Sequence, residues 1–211
     1  DDSYQARMDN MIRFLVDSQA FYRTKFGVTG PVAAAYIWNR WDNLKYGTPD
    51  TFTMYNWGNE DAWSGYQARA MFSGCRCWYE LAKLGKPVPT SLITYCHNWI
   101  NWLYSYISAN SGKTPTEFPP TTLPSTPPND FTGHMTALWL SGASLLKLAG
   151  STNLNVQKVI NLCFAELQNY YTITVPSSPM NGGWTPNLNN NVNSQDFGFW
   201  TGVILRSLRS E

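Results

Sequence analysis

The sequence predicts an all-α fold, an α/α toroid-like domain of about three helical hairpins with three long loops on one face. Six stretches have helical apolar spacing, two kinds of helix alternate along the chain, and the links between them are alternately short and long. A chain of 211 residues, 43% of them hydrophobic, can bury a core of its own. We therefore expect one domain over residues 1–211. Because the chain opens directly into a helical pattern, we expect it to be a fragment of a larger protein.

Three of the predicted helices have one apolar face. They lie near residues 3–21, 90–108 and 154–171, and their apolar residues recur at i, i+3, i+4 and i+7. In the second helix this stripe includes Leu92 and Trp99. The pattern is typical of helices with one side in a core and the other in water, so it predicts an outer layer.

The other three predicted helices are apolar nearly all round. They lie near residues 62–84, 133–149 and 197–208. A helix of this kind is buried on all sides, so the pattern predicts an inner layer. The first helix, an outer one, and the last, an inner one, would pair to close a ring of three hairpins.

A three-residue pattern ending in glycine recurs inside the inner helices, at Gly74, Gly142 and Gly202. Glycine inside a helix costs ~1 kcal/mol relative to alanine, so its recurrence at one register predicts close approach of neighbouring helices. Gly85 and Gly150 follow the first two inner helices and are predicted to be their C-caps.

The links alternate in length as well. Those after inner helices are short, near residues 85–90 and 150–154, whereas the long ones cover residues 22–61, 110–131 and 172–195. Antiparallel hairpins place all the short links at one end, so the three long loops gather at the other end, which we call the loop face. Loops held by a rigid scaffold carry most binding and catalytic residues, so the loop face is the predicted functional face.

The loop face is rich in aromatic and amide side chains. Aromatic residues make up 15% of the chain, with ten Trp and twelve Tyr; such rings stack on the C–H faces of sugars, and amides bond sugar hydroxyls. The candidate ligand-binding residues are Trp38, Trp41, Tyr55, Trp57, Trp63, His134 and Trp184. The alternative interpretation is that these aromatic residues form a small core beneath the long loops.

The same face carries carboxylates that would serve an enzyme. Glycoside hydrolysis uses two carboxyl groups that flank the scissile bond. If the protein is an enzyme, the candidate catalytic residues are Glu60, Glu117, Asp130 and Asp196. Asp130 and Asp196 stand just before inner helices, where aspartate also serves as an N-cap, so Glu60 and Glu117 are the first candidates for an acid or base.

The composition argues against several other functions. Charged residues are only 14% of the chain and the net charge is +1, which argues against binding to nucleic acid or acidic lipid. No apolar stretch has the length that membrane insertion requires. No phosphate loop, dinucleotide fingerprint or nucleophile elbow occurs in the sequence, so no cofactor is expected.

The four cysteines are expected to be reduced. Cys75 and Cys77 are two positions apart on a predicted helix and point to different sides, while Cys96 and Cys163 fall on apolar helix faces. A zinc site that includes His97 stays open as an alternative. The spacing matches no standard ligand pattern, so no metal is expected.

Two parts of the chain resemble a pattern in the helical C-terminal domains of bacteriophage tail proteins, at the baseplate or tail tip. The first part is Thr116-Glu117-Phe118-Pro119-Pro120 with residues 133–140 and 148–150; the second is Gly183-Trp184-Thr185-Pro186 with residues 197–202. The resemblance implies a virion component of the tail, assembled in the bacterial cytoplasm. The paired helices are also similar in architecture to α/α-toroid carbohydrate-active proteins.

Three hypotheses for function follow from these observations. The leading one is a non-enzymatic tail or baseplate module that contacts the host surface and binds a host surface glycan through its aromatic loop face. The second is a glycoside hydrolase or polysaccharide lyase of toroid fold, and the third is a structural domain that docks onto other tail proteins. A deep cleft with two facing carboxylates would favour the enzyme, a shallow aromatic platform the binding module, and a flat apolar patch the docking domain.

Overall fold

The computed structural model describes residues 2–38, 48–55, 65–127, 133–172, 182–184 and 198–208. Most of these residues are helical, and the fold class is all-α, as predicted. The helices are α1 (Asp2–Phe26), α2 (Gly65–Lys83), α3 (Thr90–Ala109), α4 (Gly133–Leu148), α5 (Asn155–Gln168) and α6 (Gly198–Leu208). Each lies on a stretch that apolar periodicity predicts.

The helices pack in two rows. In one row α4 lies between α2 and α6, and in the other α3 lies between α1 and α5. Two contacts show how α3 lies relative to α5 and the link before it. His97 Nε2 is 3.0 Å from Ser151 Oγ. Seven residues later in each segment, Lys158 Nζ is 4.8 Å from the ring centre of Tyr104. The two helices therefore run in the same direction, and the short links that precede them lie at the same end of the molecule.

Two of the three repeated glycines lie where helices approach closely. A Cβ on Gly74 would be 2.6 Å from Cε1 of Tyr95 on α3, and a Cβ on Gly142 would be 3.2 Å from Cε of Met71 on α2. Within the described part of the chain, no atom lies within 4 Å of a Cβ on Gly202. The close-approach prediction is confirmed for Gly74 and Gly142. It is wrong for Gly202 as far as the described residues go, because none of their atoms approaches that side of α6.

The two helices α4 and α2 differ in how much of their surface is buried. Thirteen of the sixteen residues of α4 are buried, since α2, α5 and α6 surround it. Only seven of the nineteen residues of α2 are buried, and Ser73 and Arg76 on its other side are exposed. The prediction of all-round burial is therefore confirmed for α4 and wrong for α2, whose contacts leave one face in water. It is also wrong for α6, where Leu205 and Arg206 are exposed.

Both predicted glycine caps are confirmed. Gly85 has φ +64° and Gly150 has φ +78°, the left-handed conformation that ends many helices. After each glycine, the next N–H donates to the carbonyl five residues earlier, at 2.9 Å for Lys86 and 3.0 Å for Ser151. The two short links therefore begin with the same turn.

Each long loop folds back on itself as a short antiparallel pair, which apolar periodicity does not predict. The pairs are β1 (Ala35–Ile37) with β2 (Thr51–Thr53), the single bridge of Glu117 with Ser125, and β3 (Tyr171–Thr172) with β4 (Gly183–Trp184). The candidate site residues that the structure describes lie on or beside these pairs, except for His134.

Candidate ligand-binding site on the loop face

Two buried glutamines fix the start of the first long loop. Gln67 Oε1 accepts a hydrogen bond from the Val32 N–H at 3.0 Å, and its Nε2 donates to the Val32 carbonyl at 2.7 Å. Gln19 Nε2 donates to the Gly30 carbonyl at 2.5 Å, and Gln19 Oε1 accepts from Asn98 Nδ2 at 2.7 Å. The backbone that leads into β1 is thus tied to α1, α2 and α3.

The β1–β2 pair carries a cluster of four aromatic rings, Phe14, Tyr36, Trp38 and Phe52, which we call the aromatic platform. Phe14 of α1 lies 5.1 Å from Phe52 and 5.8 Å from Tyr36 between ring centres. Tyr36 and Trp38 meet edge to face at 6.3 Å and 80°. The Trp38 side chain is 51% exposed, so the platform presents an indole ring to solvent on an ordered base.

Tyr55 follows the same pair of strands. Its side chain is half-buried, and its backbone N–H donates to Thr53 Oγ1 at 3.1 Å. The residue between them, Met54, is buried in the core. Tyr55 therefore directly follows a buried residue just beyond the end of β2.

Glu117 is the one candidate carboxylate that the described residues include. Its Oε2 accepts a hydrogen bond from Ser125 Oγ at 3.3 Å, across the bridge that joins their backbones. The next residue, Phe118, is fully buried and lies 5.8 Å from Trp102 between ring centres. The carboxylate is half-buried and held in place, but the described residues place no second carboxylate opposite it.

A buried carboxylate that the sequence analysis does not single out lies beneath the second loop. Glu166, in the last turn of α5, is 4% exposed, and its Oε2 accepts from the Thr114 N–H at 2.9 Å and from Thr136 Oγ1 at 3.3 Å. Burial raises the pKa of Glu166, although Thr114 and Lys113 act in the opposite direction. The carboxyl group joins the start of the loop to α4 and α5.

The returning half of the second loop is tied to the same point. Thr126 Oγ1 donates to the Thr114 carbonyl at 2.6 Å and lies 2.9 Å from the Tyr106 hydroxyl. Thr114 Oγ1 in turn lies 2.9 Å from Thr136 Oγ1. The loop that presents Glu117 is thus anchored on either side of it, at Thr114 and at Thr126.

His134, the second residue of α4, is fully buried. Burial, with a smaller contribution from the Arg69 guanidinium, lowers the pKa of His134 to about 3. The imidazole is therefore neutral at physiological pH. A ligand on the outer surface of the loop face does not reach this ring.

Trp184 lies on the third loop. Its half-buried ring is 5.2 Å from the ring of Tyr171, at 53° between planes, and Tyr171 is 43% exposed. The pair forms a second, smaller aromatic surface at the β3–β4 pair.

Six of the candidate residues lie outside the described residues. They are Glu60, Asp130, Asp196, Trp41, Trp57 and Trp63. Among the candidates that the structure describes, Trp38, Glu117 and Trp184 stand on three different loops, and Trp38 is the most exposed.

The described residues contain no group of three or more His, Cys, Asp or Glu side chains that could hold a metal ion. All four cysteines are free thiols, and burial, together with the neighbouring Cys75, raises the pKa of Cys96. None of the helices in the described part of the chain has the length and apolar character that crossing a bilayer requires.

No protein-family model matches the chain, and neither a curated protein nor a solved structure is significantly similar to it.

Proposed function

We propose that the protein binds a glycan through the aromatic platform on the loop face. One observation carries the proposal: Trp38 is 51% exposed although its ring packs against Tyr36, which in turn packs against Phe14 and Phe52. A tryptophan that served only a small loop core would be covered. An exposed and supported indole suits stacking against the C–H face of a sugar ring.

Polar groups stand beside the platform. The exposed Asp50 donates its N–H to the Ile37 carbonyl at 2.7 Å, and the exposed Thr51 pairs with Ile37 across the strands. Ile37 directly precedes Trp38, so the exposed Asp50 stands at the strand end that carries the indole, whereas Thr51, as the partner of Ile37, belongs to the opposite face of the strand pair. Stacking combined with hydrogen bonds to hydroxyls is the chemistry that recognises a saccharide.

The size of the platform favours weak binding at each site. One aromatic contact adds about 0.5–1.5 kcal/mol beyond the area that it buries. Strong retention of the protein on its ligand then requires several binding sites to engage one polymer at once, because linked sites raise the effective concentration of each other. A repeating polysaccharide at a bacterial surface is the ligand of this kind that we propose, and the resemblance of residues 116–150 and 183–202 to phage tail domains supports a host-contact role.

We also propose that the two rows of helices are part of an α/α toroid. The parallel course of α3 and α5 and the central position of α4 support this arrangement. Closure of a ring would require α1 to pair with α6. Introduced cysteines on these two helices test that pairing, because a disulfide forms only between Cα atoms less than about 7 Å apart.

The binding proposal is tested by affinity electrophoresis in gels that contain host-type surface polysaccharide. Trp38→Ala should abolish the retardation of the protein and leave its thermal midpoint nearly unchanged, since exposed substitutions alter stability by about 0.5 kcal/mol or less. Tyr4→Ala is the matched control, because Tyr4 is 68% exposed on α1 and lies outside the loop face. It should be retarded like the unaltered protein.

Equal retardation of the unaltered protein and of Trp38→Ala would refute the platform as the binding surface. A large drop in the thermal midpoint of Trp38→Ala would instead identify the ring as part of a core. Reducing ends are measured in the same samples. Their release, lost in Glu117→Gln, would replace the binding function by the glycosidase alternative.

A further inference from the structure

The two short links form an end of the molecule that carries exposed leucines. Leu84 is 69% exposed, Leu148 is 60% exposed and Leu154 is 84% exposed. Leu84 directly follows α2 and precedes the glycine cap Gly85, whereas Leu148 is the last residue of α4, two positions before Gly150. The exposed leucines therefore lie at the carboxyl ends of α2 and α4 and at the amino end of α5.

These links lie at one end because neighbouring helices run in the same direction. Met71 of α2 faces Gly142 of α4, so the middles of these two helices are in contact. The short links that follow α2 and α4 lead into α3 and α5, which run in the same direction. The carboxyl ends of α2 and α4 and the amino ends of α3 and α5 therefore meet at the same end, opposite the loop face.

Lysines accompany the leucines at this end. Lys83, Lys86 and Lys147 are exposed, whereas Glu80 is 3.7 Å from Arg76 in an ion pair that offsets its charge. Two helix carboxyl ends and two amino ends meet here, so their partial charges oppose one another. We call the set Lys83, Leu84, Lys86, Lys147, Leu148 and Leu154 the hairpin end, and it keeps the positive charge of its three lysines.

We propose that the hairpin end is a docking surface for an anionic lipid bilayer. Exposed leucines enter the boundary between headgroups and acyl chains, while lysines beside them attract anionic headgroups. A protein partner is a poorer fit, because lysine is depleted in protein interfaces and leucine is under-represented among their energetic hot spots. The net charge of +1 conceals this surface, since the fold gathers lysines that are far apart in the sequence.

The proposal is independent of glycan binding, because it concerns the end opposite the loop face. It is tested by sedimentation with vesicles of equal parts phosphatidylglycerol and phosphatidylcholine. We expect the protein to sediment with these vesicles and not with vesicles of phosphatidylcholine alone. Neutralising the three lysines as Lys83→Gln, Lys86→Gln and Lys147→Gln should weaken binding about fivefold for each charge, whereas Lys25→Gln, at the loop-face end of α1, should not.

The leucines are tested separately. Leu84→Ser combined with Leu154→Ser should weaken vesicle binding about tenfold for each side chain, as expected for leucines that leave water on binding. Leu123→Ser combined with Leu205→Ser is the matched control, because these leucines are 54% and 58% exposed but lie outside the hairpin end. The control should bind as the unaltered protein does, and all variants should keep its thermal midpoint.

Three results would overturn the proposal. One is no sedimentation with anionic vesicles. Another is binding to soluble polyglutamate as strong as binding to the vesicles and unaffected by the leucine changes, which would assign the surface to an acidic polypeptide. The third is a concentration-dependent dimer that disappears in Leu84→Ser with Leu154→Ser, which would assign it to a second copy of the chain.

Discussion

Gly74→Ala should destabilise the protein although alanine is the better helix former. The new Cβ would lie 2.6 Å from Cε1 and 3.0 Å from Cδ1 of Tyr95, about 1 Å inside ordinary carbon contact. Tyr95 is 1% exposed, so its ring has no solvent to move into. Overpacking of this kind costs about 1–3 kcal/mol, and the gain in helix propensity returns about 1 kcal/mol. The expected net loss is therefore up to about 2 kcal/mol.

Gly202→Ala is the matched control for this prediction. The same substitution there meets no described atom within 4 Å, so it should stabilise the protein by about 1 kcal/mol through helix propensity alone. Gly142→Ala should fall between the two, because its nearest neighbour is the flexible end of Met71. Urea unfolding followed by circular dichroism measures all three. Equal midpoints for Gly74→Ala and Gly202→Ala would refute the close-approach account of the repeat.

Three further predictions concern buried polar groups. Gln67→Met should lower the free energy of unfolding by about 1–3 kcal/mol, because it leaves the buried N–H and C=O of Val32 without their hydrogen-bond partner. Gln157→Met, at an exposed position, is the control and should change the free energy of unfolding little. Equal urea midpoints for the two variants would refute the stabilising role of the bonds between Gln67 and Val32. Glu166→Gln should be more stable than the unaltered protein at neutral pH. The pKa of Glu166 is raised in the folded state, so the unaltered protein loses stability as the pH rises through that folded pKa. The stability advantage of the variant should therefore shrink on acidification. A difference in thermal midpoint that stays constant with pH would contradict this. His134→Gln should gain stability relative to the unaltered protein as the pH falls. The reason is that a folded pKa of about 3 makes the unaltered protein lose stability below about pH 6.5, where the unfolded histidine takes up a proton. Parallel curves of thermal midpoint against pH for the two proteins would exclude His134 as the cause.

Apolar periodicity predicts the helices well because their burial follows it directly. In α3 the predicted residues Leu92 and Trp99 are fully buried, and Gly85 and Gly150 cap their helices as expected. The error for α2 has a physical reason as well. A nearly continuous apolar pattern does not reveal whether a helix has neighbours on three sides, like α4, or leaves one face in water.

The loop face is predicted less completely, because contacts between distant residues determine it. Gln67 and Val32 are 35 positions apart, and no local pattern joins them. The paired segments in the loops are two or three residues long, too short for a period of two to be recognised. One signal was available for Glu166: a carboxylate that stands three residues after Cys163 and directly before Leu167, on an apolar stripe, is unusual unless it is hydrogen-bonded.

The central position of α4 has a consequence for how the protein unfolds. In a linear repeat array each unit touches only its neighbours, so terminal units fray and partly folded chains accumulate. Here α4 contacts helices on both sides in its own row and also α5, so α2, α5 and α6 all rely on the same buried helix. We expect a single cooperative transition in which circular dichroism and tryptophan fluorescence report the same midpoint. Removal of the hairpin of α4 and α5 would then deprive the remaining helices of their shared core instead of shortening a repeat.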